Sequence, residues 1–345
     1  MIKTDKTLLE NYRFIDLFSG IGGFHLALSS YGAECVFASE WDKYASNVYY
    51  KNFGLKPEGD ITKIEVENIP PYDILCGGFP CQAFSISGKQ KGFEDTRGTL
   101  FFDIARIVQH HQPKVLFLEN VKNLLKHDNG NTLKTIIKTL KELNYSVFYE
   151  VLNSSHFGLP QNRERLYIVA FHTTLNIDDF QFPKPINTPI CLEHILEDKP
   201  KNAKIIERND IEIYKDYTIS NSLFSDFELL NKPIQIGKVN KGGQGERIYH
   251  PLGHAITLSA YGGGVGAKTG LYLIGEKIRK LSPRECARVQ GFPESFIIDD
   301  SITQAYKQFG NSVSINVLQY IIKEIISNLK RNNIKTKENS KFSYA

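Results

Sequence analysis

The sequence predicts an α/β protein, a doubly wound and mostly parallel sheet, joined to a smaller, loop-rich β domain. Three observations carry this prediction. Short apolar runs alternate with helical periodicity from residue 13 to residue 171, the pattern of a parallel sheet with helices on both faces. The alternation fades after a Pro-rich break, PKPINTP (183–189). Beyond it, residues 236–291 hold 12 of the 26 glycines and three short β-like pieces.

RFIDLF (13–18) reads as a buried strand, and Gly20, Gly22 and Gly23 turn the chain into the helical stretch FHLALSSYG. ECVFASE (34–40) is a second strand and WDKYASNVYYKNF (41–53) a helix. DILCGGF (73–79) is a third strand running into Pro80 and Cys81, followed by the helix TLFFDIARIVQHH (99–111) and the strand KVLFLEN (114–120). Leu133, Ile136, Ile137, Leu140 and Leu143 keep the i, i+3, i+4, i+7 spacing of one helical face. YSVFYEVL (145–152) and RLYIVAF (165–171) complete the strands of the first domain.

In the second domain the β-like pieces are GERIYHP, AITLSAY and LYLIG. SPRECARVQGF (282–292) reads as helical after Pro283. Val317, Leu318, Ile321, Ile322, Ile325, Ile326 and Leu329 form one apolar helical face, too apolar to stand alone, so this helix is expected to return to the first domain. The expected divisions are 1–190, 191–282, a hinge at 283–310, the returning helix at 311–330 and a basic tail at 331–345.

The 345 residues are 41% hydrophobic and 23% charged, which excludes a disordered, collagenous or coiled-coil chain. No apolar run reaches the roughly 20 residues of a membrane helix, and MIKTDKTLLENYRF lacks a signal-peptide core. A soluble, cytoplasmic protein is expected. The five cysteines, an odd number, show neither C-x-x-C nor zinc-like spacing, so neither a disulfide framework nor a metal site is expected. The net charge of +4 conceals a segment, 236–291, with nine Lys/Arg against three Asp/Glu. A basic, glycine-dense segment fits a polyanion surface and equally a solvated, loop-rich face.

Candidate site residues collect at strand ends. Asp16-Leu17-Phe18-Ser19-Gly20 leads into a glycine turn, with Glu40 at the end of the second strand. There a carboxylate can accept hydrogen bonds from ribose hydroxyls. The spacing departs from G-x-G-x-x-G, which favours a nucleoside cofactor without pyrophosphate over a dinucleotide. Phe18 and Trp41 offer flat surfaces for an adenine, although aromatic rings more often pack a sheet. Gly77-Gly78-Phe79-Pro80-Cys81-Gln82 places a thiol on the same rim, where neighbouring cations would favour thiolate. Arg163 and Arg165 are such cations, and Glu119 of Leu118-Glu119-Asn120-Val121 adds a carboxylate. A thiol, a carboxylate, two guanidiniums and a nucleoside pocket on one rim support covalent catalysis with acid assistance. An NAD dehydrogenase on a similar sheet would leave the Cys81 and Glu119 rim unexplained.

In that order these residues resemble the DNA cytosine-5 methyltransferases. The likeness runs in blocks along nearly the whole chain: FIDLFSGIGG, GGFPCQAFS, ENV, QNRERLY, RECARVQGFP and QFGNSVSINV. It implies a Rossmann-like fold that uses S-adenosylmethionine, with a catalytic and cofactor-binding domain followed by a target-recognition domain. Carried over by position, it implies Cys81 as the nucleophile at C6 of cytosine, Glu119 at N3, Arg165 at O2, and Arg163 supporting the thiolate and carboxylate. Phe18, Gly20, Gly23, Glu40, Trp41, Asp60, Ile61, Gly78, Pro80, Leu100, Asn311 and Ser312 would form the cofactor pocket. Ser87, Gln244, Arg247, Tyr249, Thr257 and Tyr261 would contact DNA, with Ser87 and Gln244 filling the space left by a flipped base and Arg247 reading a guanine.

The segments SISGKQKGFED and GKVNKGGQGERIYHPLGHAITLSAYGGG further resemble the reading loops of members that methylate the inner cytosine of GCGC. Departures lie mostly in 187–235, at Gln290 and at Val265-Gly266. The resemblance also implies double-stranded DNA as partner, a monomer, and a cognate restriction endonuclease in the same system. Some relatives with the Pro-Cys and Glu-Asn-Val blocks modify tRNA; the long glycine-rich reading domain argues for duplex DNA. A DNA-binding module that has lost catalysis fits less well, because Cys81, Glu119 and Arg165 are all present.

Overall fold

A computed structural model describes residues 2–80, 100–186, 188–214 and 231–342, with side chains described as far as residue 332. The first domain contains β1 (Arg13–Leu17), α1 (Gly23–Ser29), β2 (Glu34–Ser39), α2 (Lys43–Phe53), β3 (Ile74–Gly78), α3 (Leu100–His111), β4 (Val115–Val121), α4 (Asn131–Glu142), β5 (Tyr145–Asn153) and β6 (Glu164–His172). The strands form a six-stranded sheet in the order β2-β1-β3-β4-β6-β5. β2, β1, β3 and β4 are parallel, whereas β6 runs antiparallel between β4 and β5. That reversal follows from the short 154–163 connection, whose regular structure is one 3₁₀ turn, Ser154–Phe157. A parallel crossover needs a dozen residues or more, usually with a helix.

Successive strand residues face opposite sides, and the core divides accordingly. Phe14, Cys76, Phe117 and Val169 face α1 and the C-terminal helix. Ile15, Leu75, Leu116 and Ile168 face α3 and α4. This is the doubly wound arrangement.

After residue 190 the chain forms β7 (Glu212–Ile213), β8 (Ile234–Lys238), β9 (Arg247–His250), β10 (Leu271–Ile274) and β11 (Lys277–Arg279). They make a second sheet, ordered β11-β10-β9-β8-β7, over a small core of Ile206, Ile236, Val239, Ile248, Leu271 and Ile278. Two of the expected β pieces, in GERIYHP and LYLIG, are the strands β9 and β10. AITLSAY is not a named strand. Ala255 forms an isolated bridge with Gln161, its N–H donating to Pro160 O and its carbonyl accepting from Asn162 N. The backbone partners of Ala255 thus lie in the turn before β6, while Ser259 N donates to Lys268 O at 3.0 Å. Tyr249, Ala255, Leu258, Tyr272 and Leu281 also join the core of the first domain, so this face of the second domain is welded to it.

Where a hinge was expected, the chain forms two helices, α5 (Pro283–Gln290) and α6 (Ile302–Asn311). Ser282 and Glu285 make a reciprocal capping box and Pro283 occupies the first turn, where its missing N–H costs nothing. Glu285 also pairs with buried Arg279 through two bonds of 2.7 and 2.8 Å. The last helix, α7 (Ile315–Phe342), does return to the first domain: its apolar face is buried and Tyr31 Oη donates to Gln319 O at 2.9 Å. Its backbone continues past the predicted end at 330 into the expected tail, a stretch with no Gly or Pro to stop it.

Candidate active site

The first wall of the site is built at the ends of β1 and β2. Ser19 N donates to Ser39 O at 2.9 Å, bringing the glycine turn beside Glu40. Gly20 N donates to Glu40 Oε2 at 2.8 Å and Asp42 N to Glu40 Oε1 at 2.7 Å. Burial raises the pKa of Glu40, opposed by these two N–H groups. Gly20 has φ +55° and open space where a Cβ would point, so its backbone is available to a ligand. Gly23 differs: a Cβ there would lie 2.4 Å from Val313 Cγ2. That glycine lets α1 pack closely against the segment leading into α7, next to Ser312, whose Oγ would stand 3.5 Å from the same Cβ.

Trp41 is 81% exposed, and Phe18, at φ +54°, is half-buried against the α3 side of the core. The rings expected to flank an adenine are therefore not both consumed by packing. Asp60 accepts from Thr62 N and Oγ1, capping the 3₁₀ turn that begins at buried Ile61. These bonds lower its pKa. Arg106 of α3 holds the same turn from behind, donating to Ile61 O at 2.5 Å and Ile64 O at 2.8 Å. Leu100 opens α3, while Asn311 and Ser312 close α6.

The second wall lies at the ends of β3, β4 and β6. A Cβ at Gly77 would meet Leu17 O at 2.6 Å, and one at Gly78 would stand 3.4 Å from Glu119 Oε2. Gly78 and Glu119 are register partners, so the glycine backbone lies directly beside the carboxylate. Asn120 Nδ2 donates to Phe79 O at 2.8 Å, anchoring the chain just before Pro80 and Cys81. Cys81 and Ser87 lie outside the described residues. The anchoring by Asn120 was not anticipated; an amide directly after a strand-end carboxylate was the available signal.

Arg165 is the register partner of Val121, two residues from Glu119 and hence on the same face of the sheet. Its Nε lies 3.1 Å from Glu119 Oε1. Burial raises the pKa of Glu119, opposed first by Arg165 and then by Arg163. Arg163 is buried and makes no hydrogen bond to that carboxylate. It donates to Leu258 O at 3.0 Å, Gly310 O at 3.3 Å and Ser312 O at 2.5 Å. Its expected support of the carboxylate is therefore a through-space field, and its contacts tie α6 to the second domain. Burial, with the neighbouring Arg165 charge, pushes its pKa down to about 9.

Of the residues expected to contact DNA, Gln244, Arg247 and Tyr261 are exposed, Tyr261 at 75%. Tyr249 is buried, its ring 6.0 Å from that of Tyr272. Thr257 Oγ1 donates to Asn162 O at 2.6 Å. Both of these are occupied within the protein, one by packing and one by tying the second domain to the turn before β6. The glycines also have a role the sequence did not disclose. A Cβ at Gly245 would fall 2.1 Å from Gly263 O, and Gly266 N donates to Gly245 O at 2.7 Å. The loops around 245 and 264 pack backbone to backbone, which side chains would prevent.

A family model for the C-5 cytosine-specific DNA methylases matches residues 12–327. The chain belongs to this family. Among relatives of this DNA methyltransferase, the type II methyltransferase M.HhaI of Haemophilus parahaemolyticus is 57% identical over 331 residues, covering 95% of this chain and 98% of that protein. M.HpaII of Haemophilus parainfluenzae is 43% identical, with 95% and 92% covered. The fold matches a putative DNA modification methyltransferase from an E. coli prophage at TM-score 0.67, 22% identity and 92% and 99% coverage. It also matches the S. pombe Dnmt2 methyltransferase at TM-score 0.64, 21% identity and 91% and 98% coverage.

The methyl donor of this methyltransferase family is S-adenosylmethionine, and the first wall suits it. The wall combines an open glycine backbone, a half-buried carboxylate, an exposed indole and the unpartnered buried hydroxyl of Ser19. Among the described residues no helix is long and apolar enough to cross a membrane.

Proposed function

We propose that the chain methylates C5 of a cytosine flipped out of duplex DNA, the inner cytosine of GCGC, through a covalent bond between Cys81 Sγ and C6. The observation that carries this reading is the Glu119–Arg165 pair, 3.1 Å apart and facing Gly78 at the entrance to the Pro80-Cys81 segment. C5 of a pyrimidine is a poor nucleophile until a thiolate adds to C6. The Cys81 sulfur forms the C6–S bond, and the electron pair of the C5=C6 double bond moves toward N3 and O2. Glu119, with its pKa raised by burial, donates a proton or hydrogen bond at N3, while Arg165 holds O2. When bound, S-adenosylmethionine supplies an electrophilic methyl group on its sulfonium sulfur. Loss of the C5 proton to a base then expels the Cys81 thiolate and restores the C5=C6 double bond.

Glu40, with Trp41 and Phe18, would hold the donor's nucleoside; Gly20, Asp60, Ile61, Gly78, Pro80, Leu100, Asn311 and Ser312 complete that pocket. C5 and C6 are inaccessible in stacked duplex, so flipping is required, at a cost of a few kcal/mol. Ser87 and Gln244 would fill the gap and Arg247 would read a guanine. The 57% identity to M.HhaI and the match in the reading loops support GCGC as target. They also support a monomeric, cytoplasmic enzyme of the type II restriction-modification kind, paired with an endonuclease.

Incubating the protein with radiolabelled donor and a GCGC duplex tests the reading. It expects label on C5 of the inner cytosine; transfer to N4, or to tRNA in preference to duplex, overturns it.

A further inference from the structure

Lys307, on α6, lies outside all the methyl-transfer assignments, yet its Nζ stands 2.6 Å from Asp42 Oδ2. Asp42 faces three ways. Its Oδ1 accepts from Tyr44 N and Ala45 N, capping α2. Its own N–H donates to Glu40 Oε1, and the other oxygen of Glu40 accepts from Gly20 N. A continuous chain of polar contacts therefore runs from α6 through Asp42 and Glu40 to the glycine turn.

On the assignment of Asn311 and Ser312 to the donor's pocket, α6 forms the wall opposite Glu40. It ends at Asn311 and Ser312, one helical turn beyond Lys307. The helix has little room to shift sideways. A Cβ on Gly310 would lie 2.2 Å from the carbonyl carbon of Ser259, and Arg163 holds Gly310 O and Ser312 O. With α6 braced there, the ion pair sets the distance between the two walls. Its side chains are 32% and 24% exposed, so salt screens it only in part.

We propose that the Lys307–Asp42 ion pair is a positioning latch across the donor cleft, holding Glu40 and the Asn311–Ser312 end of α6 at the separation the donor's nucleoside requires. The proposal rests on the assignment of Glu40 to that nucleoside. Without the ammonium group, the neighbouring carboxylates of Asp42 and Glu40 lose the Lys307 cation that faces them across the cleft. Lys307 is thus a positioning residue that acts through Asp42.

The test compares wild type with Lys307→Met, Lys307→Arg, Asp42→Asn and Glu40→Gln. Titration calorimetry with S-adenosylhomocysteine is paired with steady-state kinetics at saturating duplex and with thermal melting. Lys307→Met should weaken the analogue and raise KM for the donor by roughly three- to tenfold, while kcat at saturating donor stays within about twofold. Lys307→Arg should restore affinity, and the defect of Lys307→Met should shrink at high salt, where the wild-type pair is screened as well. Asp42→Asn keeps the helix cap, so it should copy Lys307→Met, and the double variant should be no worse than either.

Wild-type affinity in Lys307→Met beside a loss in Glu40→Gln overturns the latch and leaves the Glu40 assignment standing. Unchanged affinity in Glu40→Gln overturns that assignment. Failure of Lys307→Arg to rescue, or a fall in kcat and melting temperature that parallels the loss of affinity, would reduce Lys307 to a structural part and overturns the proposal.

Discussion

Arg165 Nε lies 3.1 Å from Glu119 Oε1, and both side chains are largely buried. Removing one partner leaves the other charge desolvated and alone. Arg165→Ala should therefore raise the pKa of Glu119 further and withdraw the O2 contact, lowering kcat by about 10²–10³. Binding of S-adenosylhomocysteine should change little, because Arg165 does not line the Glu40 wall. Single-turnover methylation beside calorimetric titration checks both halves.

Asn120 anchors Phe79 O immediately before Pro80 and Cys81. Asn120→Ala leaves that buried carbonyl without its amide donor, a loss of about 1–3 kcal/mol. The effect should be greater on kcat than on global stability, because the chain just beyond Phe79 carries the proposed nucleophile Cys81. Denaturant midpoints and kcat measured on one preparation separate the two. By contrast, Cys81→Ser should abolish turnover and retain donor binding; normal turnover would refute the covalent mechanism.

Asp16 is fully buried in β1, with Oδ2 unpartnered and Cys76 Sγ 3.8 Å from Oδ1. Burial raises its pKa well above the usual carboxylate value. The folded state then binds the proton more tightly than the unfolded state does. This contribution is full below the unfolded pKa and is lost as pH rises through the folded one. Urea unfolding at increasing pH above the ordinary carboxylate range should show that Asp16→Asn loses less stability with pH than wild type does. An equal slope in the variant would place the pH dependence elsewhere.

Gly245→Ala sets a methyl group against the carbonyl of Gly263. The two loops must separate; on their proposed role in reading DNA, affinity for the target duplex should fall while S-adenosylhomocysteine binding and the fold of the first domain persist. Fluorescence anisotropy with labelled duplex, beside far-UV circular dichroism, tests the separation of effects.

Arg247 is exposed on β9, its Nε 3.4 Å from Gly242 O and its side chain within hydrogen-bonding reach of the Tyr249 hydroxyl. Arg247→Ala should relax discrimination at one guanine by about 1–3 kcal/mol. Methylation of substrates altered one base at a time reads this directly. A uniform loss across all substrates would mark Arg247 as a phosphate contact.

The sequence by itself determined the order of strands and helices in the first domain and the two-faced core of its sheet. These follow from periodicity and turn residues, which act over a few neighbours. Tertiary structure decided which rim residues meet. The 154–163 connection is too short for a parallel crossover, and the resulting antiparallel β6 brings Arg165 to Glu119 while Arg163 turns into the junction with α6. The same pattern of residues could not reveal that Tyr249 is buried, that Thr257 ties to Asn162 or that a Cβ at Gly23 would meet Val313. Nor could it show that the glycines at 245 and 263 pack against each other, or that Lys307 reaches Asp42. Each of these depends on a partner distant in the chain, and such a partner leaves no local periodicity to read.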